Sequence, residues 1–166
     1  MSIRKILGFQ HPALRTKAKK VARVDSSAVR LLDDLAETMY AAPGAGLAAN
    51  QIGVTLRAMV VKGDENQHYA LINPELVRKE GSQIAYEGCL SYPGWVGEVE
   101  RAEQVVVKGL NRRGKPVRIK ASGFTARAFQ HELDHLDGIL FTDRLTRLET
   151  LRRVEEHEAE LEAVEA

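Results

Sequence analysis

Gln130-His131-Glu132-Leu133-Asp134-His135-Leu136-Asp137-Gly138 decides how the rest of this chain is read. It contains H-E-x-x-H. On a helix, residues four apart lie on one face, so His131 and His135 can bind one metal ion. Glu132 adjoins the first of them and can reach a water activated by that ion. Phe124, Ala128, His131 and His135 share one face of the helix predicted here, while Phe129, Leu133 and Leu136 can meet a core. Gly138 is placed to end it. Two histidines leave a metal site incomplete, so a third ligand must come from elsewhere.

Upstream, residues 105–110 and 116–121 read as strands flanking Asn111-Arg112-Arg113-Gly114, a hairpin turn. Residues 58–61 and 68–72 are short β-like runs. Asn73-Pro74 predicts a turn, 76–85 one or two further strands, and 92–97 a loop. Val29, Leu32, Leu35, Ala36 and Met39 recur at helical spacing, with Asp25 or Ser26 as the cap and Pro43-Gly44 as the stop. Residues 1–24 read as an extended arm, broken at Pro12, with one turn of helix. Downstream, about 146–164 reads as a final helix with a thin apolar stripe of Leu148, Leu151, Val154, Leu161 and Val164 and a strongly acidic end. The expected fold class is α+β: mostly antiparallel strands packed around the helix of His131 and His135, flanked by N- and C-terminal helices.

The 166 residues fit one domain, 1–166. A hydrophobic fraction of 44% supports a core, and the net charge of +1 gives no global electrostatic case for nucleic acid or an anionic membrane. Cys89 is the one cysteine, so no internal disulfide can form, as suits a reducing cytosol. No apolar run has the length of a signal or of a membrane span, roughly 20 residues. These features predict a cytoplasmic protein with no membrane partner and no sequence-specific nucleic-acid partner.

Two zinc-protease patterns could complete the metal site. The extended pattern needs a third histidine at position 141, where the chain has Phe141. The other takes a glutamate from a later helix. Glu155 or Glu156 has the spacing, but both sit in a polar tail with little to bury them. Cys89 is the better candidate. Its thiolate is a strong ligand for a borderline or soft divalent ion. One Cys with two His leaves a fourth position open, as a catalytic site requires. Otherwise a lone cysteine is most often a small buried hydrophobe.

Three stretches now stand together: Gly44-Ala45-Gly46-Leu47-Ala48-Ala49-Asn50-Gln51, Glu87-Gly88-Cys89-Leu90-Ser91 and Gln130-His131-Glu132-Leu133-Asp134-His135. They resemble the three signature motifs of the peptide deformylases, in that family's order and at about its spacing. The opening 6–18, with Pro12, Leu14 and Arg15, is similar to the family's N-terminus, and the resemblance runs to about Leu145. It implies hydrolysis of the N-formyl group from the initiator methionine of new bacterial or organellar proteins, with release of formate. It implies ferrous iron (Fe²⁺), one per chain, held by Cys89, His131 and His135, with Zn²⁺, Ni²⁺ or Co²⁺ as substitutes. Glu132 then carries the proton. The Gln51 amide and the Leu90 backbone N–H stabilise the oxyanion, each such donor typically being worth about 3 kcal/mol.

The implied partners are N-formylmethionyl nascent peptides. Such a peptide would lie as an added strand between Gly44, Ala45 and Gly46 on one side and Gly88 on the other. Its methionine side chain would meet Phe124, the stem of Arg127, Ala128 and Tyr86. Ala45 stands where many members carry a branched aliphatic residue, which widens the entrance. Trp95 is a candidate for the rim or for the core. Glu87 is expected to pair with Arg101 and fix the cysteine loop. Some bacterial members dock on the ribosome through a basic C-terminal helix, and the acidic end of this chain argues against that association. Two other readings compete: an H-E-x-x-H metallopeptidase cutting internal bonds, and a non-catalytic metal-binding relative. A purely structural site has no need of Gln51, Glu132 and Leu90 together.

Overall fold

Asp25 starts the first helix, its carboxylate accepting the Ala28 N–H at 3.0 Å. This is α1, Ser26–Ala41, in the computed structural model, which describes residues 2–165. Seven strands follow before the next helix: β1 Gly46–Ala48, β2 Ala58–Lys62, β3 His68–Glu80, β4 Gln83–Cys89, β5 Tyr92–Arg101, β6 Gln104–Leu110 and β7 Pro116–Ser122. Then come α2, Gly123–Leu136, a two-residue β8, Arg152–Arg153, and α3, Val154–Glu165. Among the described residues the strands form two antiparallel sheets, ordered β1-β2-β3-β6-β7 and β4-β5-β8. The α+β expectation is met. No described helix is long and apolar enough to cross a membrane.

The larger sheet lies between the two long helices, and the period of two along β2 shows why. Met59 and Val61 join a cluster with Phe129, Leu133 and Leu136 of α2. Ala58 and Val60 join a second cluster with Leu32, Leu35 and Met39 of α1. A strand apolar at both parities needs cover on both faces, and these helices provide it. α2 ends as expected, with Gly138 in the left-handed region at φ 76°.

Three expectations are corrected. Asn73-Pro74 does not turn the chain, because β3 runs on through it with a shift of register between Ile72 and Glu75. Asn73 takes φ 52°, and its side-chain amide bonds both the N–H and the carbonyl of Val21 at 2.8 and 2.9 Å. The result is a bulge, and the reversal waits for Gly81. The loop expected at 92–97 is the start of β5. Cys89 pairs with Tyr92 and Glu87 with Gly97, so residues 93–96 bulge out opposite Gly88.

The third correction concerns the final helix, which starts at Val154 and not near 146. Thr150 is buried with its hydroxyl accepting the Glu98 N–H at 3.1 Å, and Arg152 and Arg153 pair with Val96 and Trp95. Sheet pairing therefore claims the residues that would have formed the first turns. The apolar stripe does not close either, for Leu148, Leu161 and Val164 are exposed.

A 3₁₀ turn at Pro12–Arg15 is tied to another at Phe141–Arg144 by Arg15 and Asp143, 2.5 Å apart at their nearest atoms. The hydrogen bond from Arg15 holds Asp143 below the ordinary carboxylate range. A depressed folded-state value stabilises above the unfolded value, about 3.9, and the benefit fades as pH falls below it. Both side chains are well exposed, so the effect stays below about 1 kcal/mol. Asp143→Asn should lower the melting temperature slightly at pH 7, and the gap should narrow as pH is taken below 4. A gap independent of pH would show that the ion pair does not contribute.

Candidate active site

α2 carries His131 and His135 on adjacent turns of one face, with ring centroids 4.9 Å apart. Cys89 ends β4, and a two-residue turn, Leu90-Ser91, leads into β5. The two elements meet so that Cys89 Sγ lies 3.3 Å from His135 Nε2, which lies 3.2 Å from His131 Nε2. The three ligand atoms all fall within 4.8 Å of one another. Two ligands about 2.0–2.1 Å from a tetrahedral ion would sit about 3.3 Å apart, so this spacing suits a divalent cation. Phe141, at the position where the extended protease pattern needs a histidine, is instead buried with its ring stacked on His131 at 6.4 Å.

The orientation of His131 is set by Glu87, whose Oε1 meets His131 Nδ1 at 2.9 Å. This leaves Nε2 to face the other two ligand atoms. Glu87 pairs with Arg101, as expected, through Nε at 2.8 Å and Nη2 at 3.0 Å. It also accepts from Arg127 Nη1 at 2.5 Å. Burial by itself would raise the Glu87 carboxyl, but the hydrogen bonds from Arg101 and His131 outweigh it and hold Glu87 far below the carboxylate range. Arg101 passes the chain of charge on to Asp134 at 2.6 Å, which also receives Arg144 at 2.6 and 3.0 Å.

Burial, and then the charge on His131, push His135 well below its ordinary value. Its ring is therefore neutral and able to ligate. Burial opposes charge on His131 as well, yet Glu132, Cys89 and Glu87 together favour a positive charge there. A cation shared by the two rings and Cys89 answers that demand, and the donor set fits it. Burial also raises the Glu132 carboxyl to about 7. Glu132 Oε1 is buried with no hydrogen-bond partner among the described residues.

The first motif lies across from α2. Gln51 is buried at a 3₁₀ turn, Ala49–Ile52. Its Oε1 accepts the Ala48 N–H at 2.9 Å, which aims Nε2 at Ser91 Oγ (3.0 Å) and toward Cys89 Sγ (3.8 Å). The glycines here permit close approach. A Cβ on Gly46 would stand 2.7 Å from Glu132 Oε2, and one on Gly44 would stand 2.6 Å from Leu90 Cδ1.

A cavity of about 150 Å³ opens onto this group. It brings together Ala45, Gly46, Gln51, Gly88, Cys89, Leu90, Phe124, Arg127, Ala128, His131 and Glu132, with Tyr86 and Glu87. Gly44 is not among its walls, and acts on them through Leu90. Phe124 is 69% exposed and belongs to the rim. Trp95 is not a cavity residue; it sits under the guanidinium of Arg153 at 5.1 Å. The strands on either side, β1 and β4, are both edge strands with a ladder on one side only.

Several residues escaped the sequence reading. Arg127 was expected only to line the cavity, but it is 3% exposed and its guanidinium is shared between Glu87 and Gln83. Asp134 and Arg144 extend that network. Asn50 holds the α2 backbone by donating to the His135 carbonyl. Asp134 and Asn50 lie inside the quoted motifs, so their position was visible although their partners were not.

Removing the Glu87 charge leaves buried Arg127 without a carboxylate and Arg101 with Asp134 alone, and breaking a buried pair in this way costs about 3–5 kcal/mol. Glu87→Gln should lose stability of that order in urea unfolding at pH 7. A loss below about 1 kcal/mol would show that Glu87 is not the centre of the network.

Comparison with known proteins agrees with the three motifs. A sequence model of polypeptide deformylases matches residues 3–151. The peptide deformylase of Halothermothrix orenii is 54% identical over 149 residues, 89% of this chain and 97% of that one. The crystal structure of peptide deformylase from Thermotoga maritima superposes with a TM-score of 0.85 at 39% identity, over 89% of this chain and 100% of that one. A class I type b peptide deformylase from Acinetobacter baumannii, solved with Met-Ala-Ser bound, gives 0.82 at 32% identity over 87% and 99%. With its cysteine and two histidines gathered under one cavity, this chain belongs to the polypeptide deformylase family of hydrolases.

Proposed function

We propose that this protein hydrolyses the N-formyl group from the N-terminal formylmethionine of newly made polypeptides and releases formate. The observation that carries the reading is the meeting of Cys89 Sγ, His131 Nε2 and His135 Nε2 within 4.8 Å beside a cavity that Cys89, His131, Glu132 and Gln51 line. These three side chains would hold one divalent cation. Ferrous iron suits the thiolate and imidazole donors and the family resemblance, and Zn²⁺, Ni²⁺ and Co²⁺ are compatible with the same donors. Bound there, a cation supplies Lewis acidity, polarising the formyl oxygen and bringing the acidity of water toward neutral pH.

Glu132 performs the proton transfers. It accepts a proton from the attacking water and delivers it to the departing amine. Its unpartnered Oε1 leaves it free to do both. The positive charge of a cation held by Cys89, His131 and His135 would favour its ionised, proton-accepting form. Gln51 Nε2 and the Leu90 backbone N–H donate to the negative charge that develops on the former formyl oxygen. Gln51 meets the requirement for a fixed donor, because its own oxygen is anchored on Ala48.

The peptide enters as a strand between two edges, β1 at Gly46 and β4 at Gly88. Its first side chain enters the cavity bounded by Tyr86, the Arg127 stem and Ala128, with Phe124 at the rim. The A. baumannii relative holding Met-Ala-Ser supports this register, since methionine leads that peptide. We place the reaction in the cytoplasm, on a single catalytic unit. The glutamates exposed on α3 disfavour docking of that helix on ribosomal RNA.

Ferrous enzyme handled anaerobically should release formate and a new amine from formyl-Met-Ala-Ser; no turnover would sink the proposal. Glu132→Gln should keep one metal per chain by elemental analysis and lose at least about 10²-fold in kcat. Cys89→Ala should lose the metal itself. Retention of metal by that variant would favour a glutamate-ligated peptidase instead.

A further inference from the structure

The family match ends at Leu151, yet residues beyond it reach the cavity through Tyr86. Arg152 Nη2 donates to the Tyr86 hydroxyl at 3.0 Å, and its guanidinium lies 5.3 Å from the Tyr86 ring centre. His157 of α3 stacks on the same ring, with centroids 4.1 Å apart and planes inclined by 28°. The Nδ1 of His157 is buried with no hydrogen-bond partner among the described residues, so the imidazole is used here as a flat packing surface. Glu160 pairs with Arg152 and ties the helix to β8. Pairing of Trp95 and Val96 with Arg153 and Arg152 brings the segment alongside β5.

Tyr86 needs such a brace. It sits on β4, an edge strand, with exposed Ala85 before it and Glu87 committed to the arginines after it. A tyrosine on an open edge has more than one staggered rotamer available, and only some of these would wall the cavity. We infer that the segment Arg152–Glu160 is a specificity-determining brace: by holding the Tyr86 ring, Arg152 and His157 fix the width of the pocket that takes the first side chain of the peptide. Both act through Tyr86 and are positioning residues. The inference rests on the proposed deformylase reading, in which that side chain is methionine.

The effect belongs in KM and in side-chain preference. In the ferrous enzyme, His157→Ala should raise KM for formyl-Met-Ala-Ser about three- to tenfold, as expected for the loss of one aromatic stack. Because the reacting groups are untouched, kcat should stay within about twofold. KM for formyl-Ala-Ala-Ser, whose side chain does not reach the wall, should hardly change, so the preference for methionine narrows. His157→Phe should restore both values by restoring the stack. In a Tyr86→Ala background, His157→Ala should have no further effect, because the residue it acts through is gone. An unchanged KM, a fall confined to kcat, failure of His157→Phe to restore, or a full effect in the Tyr86→Ala background would each overturn the brace. Absence of turnover in the unaltered enzyme would instead overturn the deformylase reading itself.

Discussion

The Glu87 carboxylate is the contact on which the rest of the site depends. It is buried, and it accepts from Arg101, Arg127 and His131 at once. A buried carboxylate with fewer donors would take up a proton and cease to hold anything. Its partners come from two separate elements of the chain. Arg101 ends β5, while Arg127 and His131 lie one turn apart on α2. One carboxylate therefore locks the cysteine hairpin to the histidine helix, and fixes which nitrogen of His131 is left for a ligand.

That lock has a second anchor. Arg101 reaches past Glu87 to Asp134, and Arg144 closes on Asp134 from the chain beyond α2. Asp134 and His135 are adjacent, so the network and the ligand set share a helical turn. On the opposite side the first motif presses close, with Gly46 against Glu132 and Asn50 on the His135 carbonyl. The polar site is thus enclosed by two apolar clusters and by charges that satisfy one another. This is how an interior can keep two histidines and a glutamate without collapsing around them.

Much of this was legible in particular residues. H-E-x-x-H names its own geometry, because helical period alone brings positions 131 and 135 together. Asp25, Gly138 and the turn at Asn111-Arg112-Arg113-Gly114 announce boundaries by local chemistry. Cys89 as the third member of the cluster followed from ligand softness and from the failure of position 141. Asn73-Pro74 misled because a bulge and a turn use the same residues. The choice between them lay in the bond from Asn73 to Val21, 52 residues away. The C-terminal helix misled for the same reason, since Thr150, Arg152 and Arg153 were claimed by β5.

The sequence by itself determined the helix with its two histidines, the cysteine that could complete them, and the family to which these motifs point. Those are matters of period, ligand chemistry and residue order, all of which are local. Only the tertiary structure decided that Arg127 serves Glu87 as well as lining the cavity, that Asp134 belongs to the same network, and that Tyr86 is gripped by residues from the end of the chain. A side chain with several hydrogen-bonding partners within reach does not declare its choice in one dimension. The choice is made when buried charges must be matched, and that happens only after the sheets and helices have closed around them.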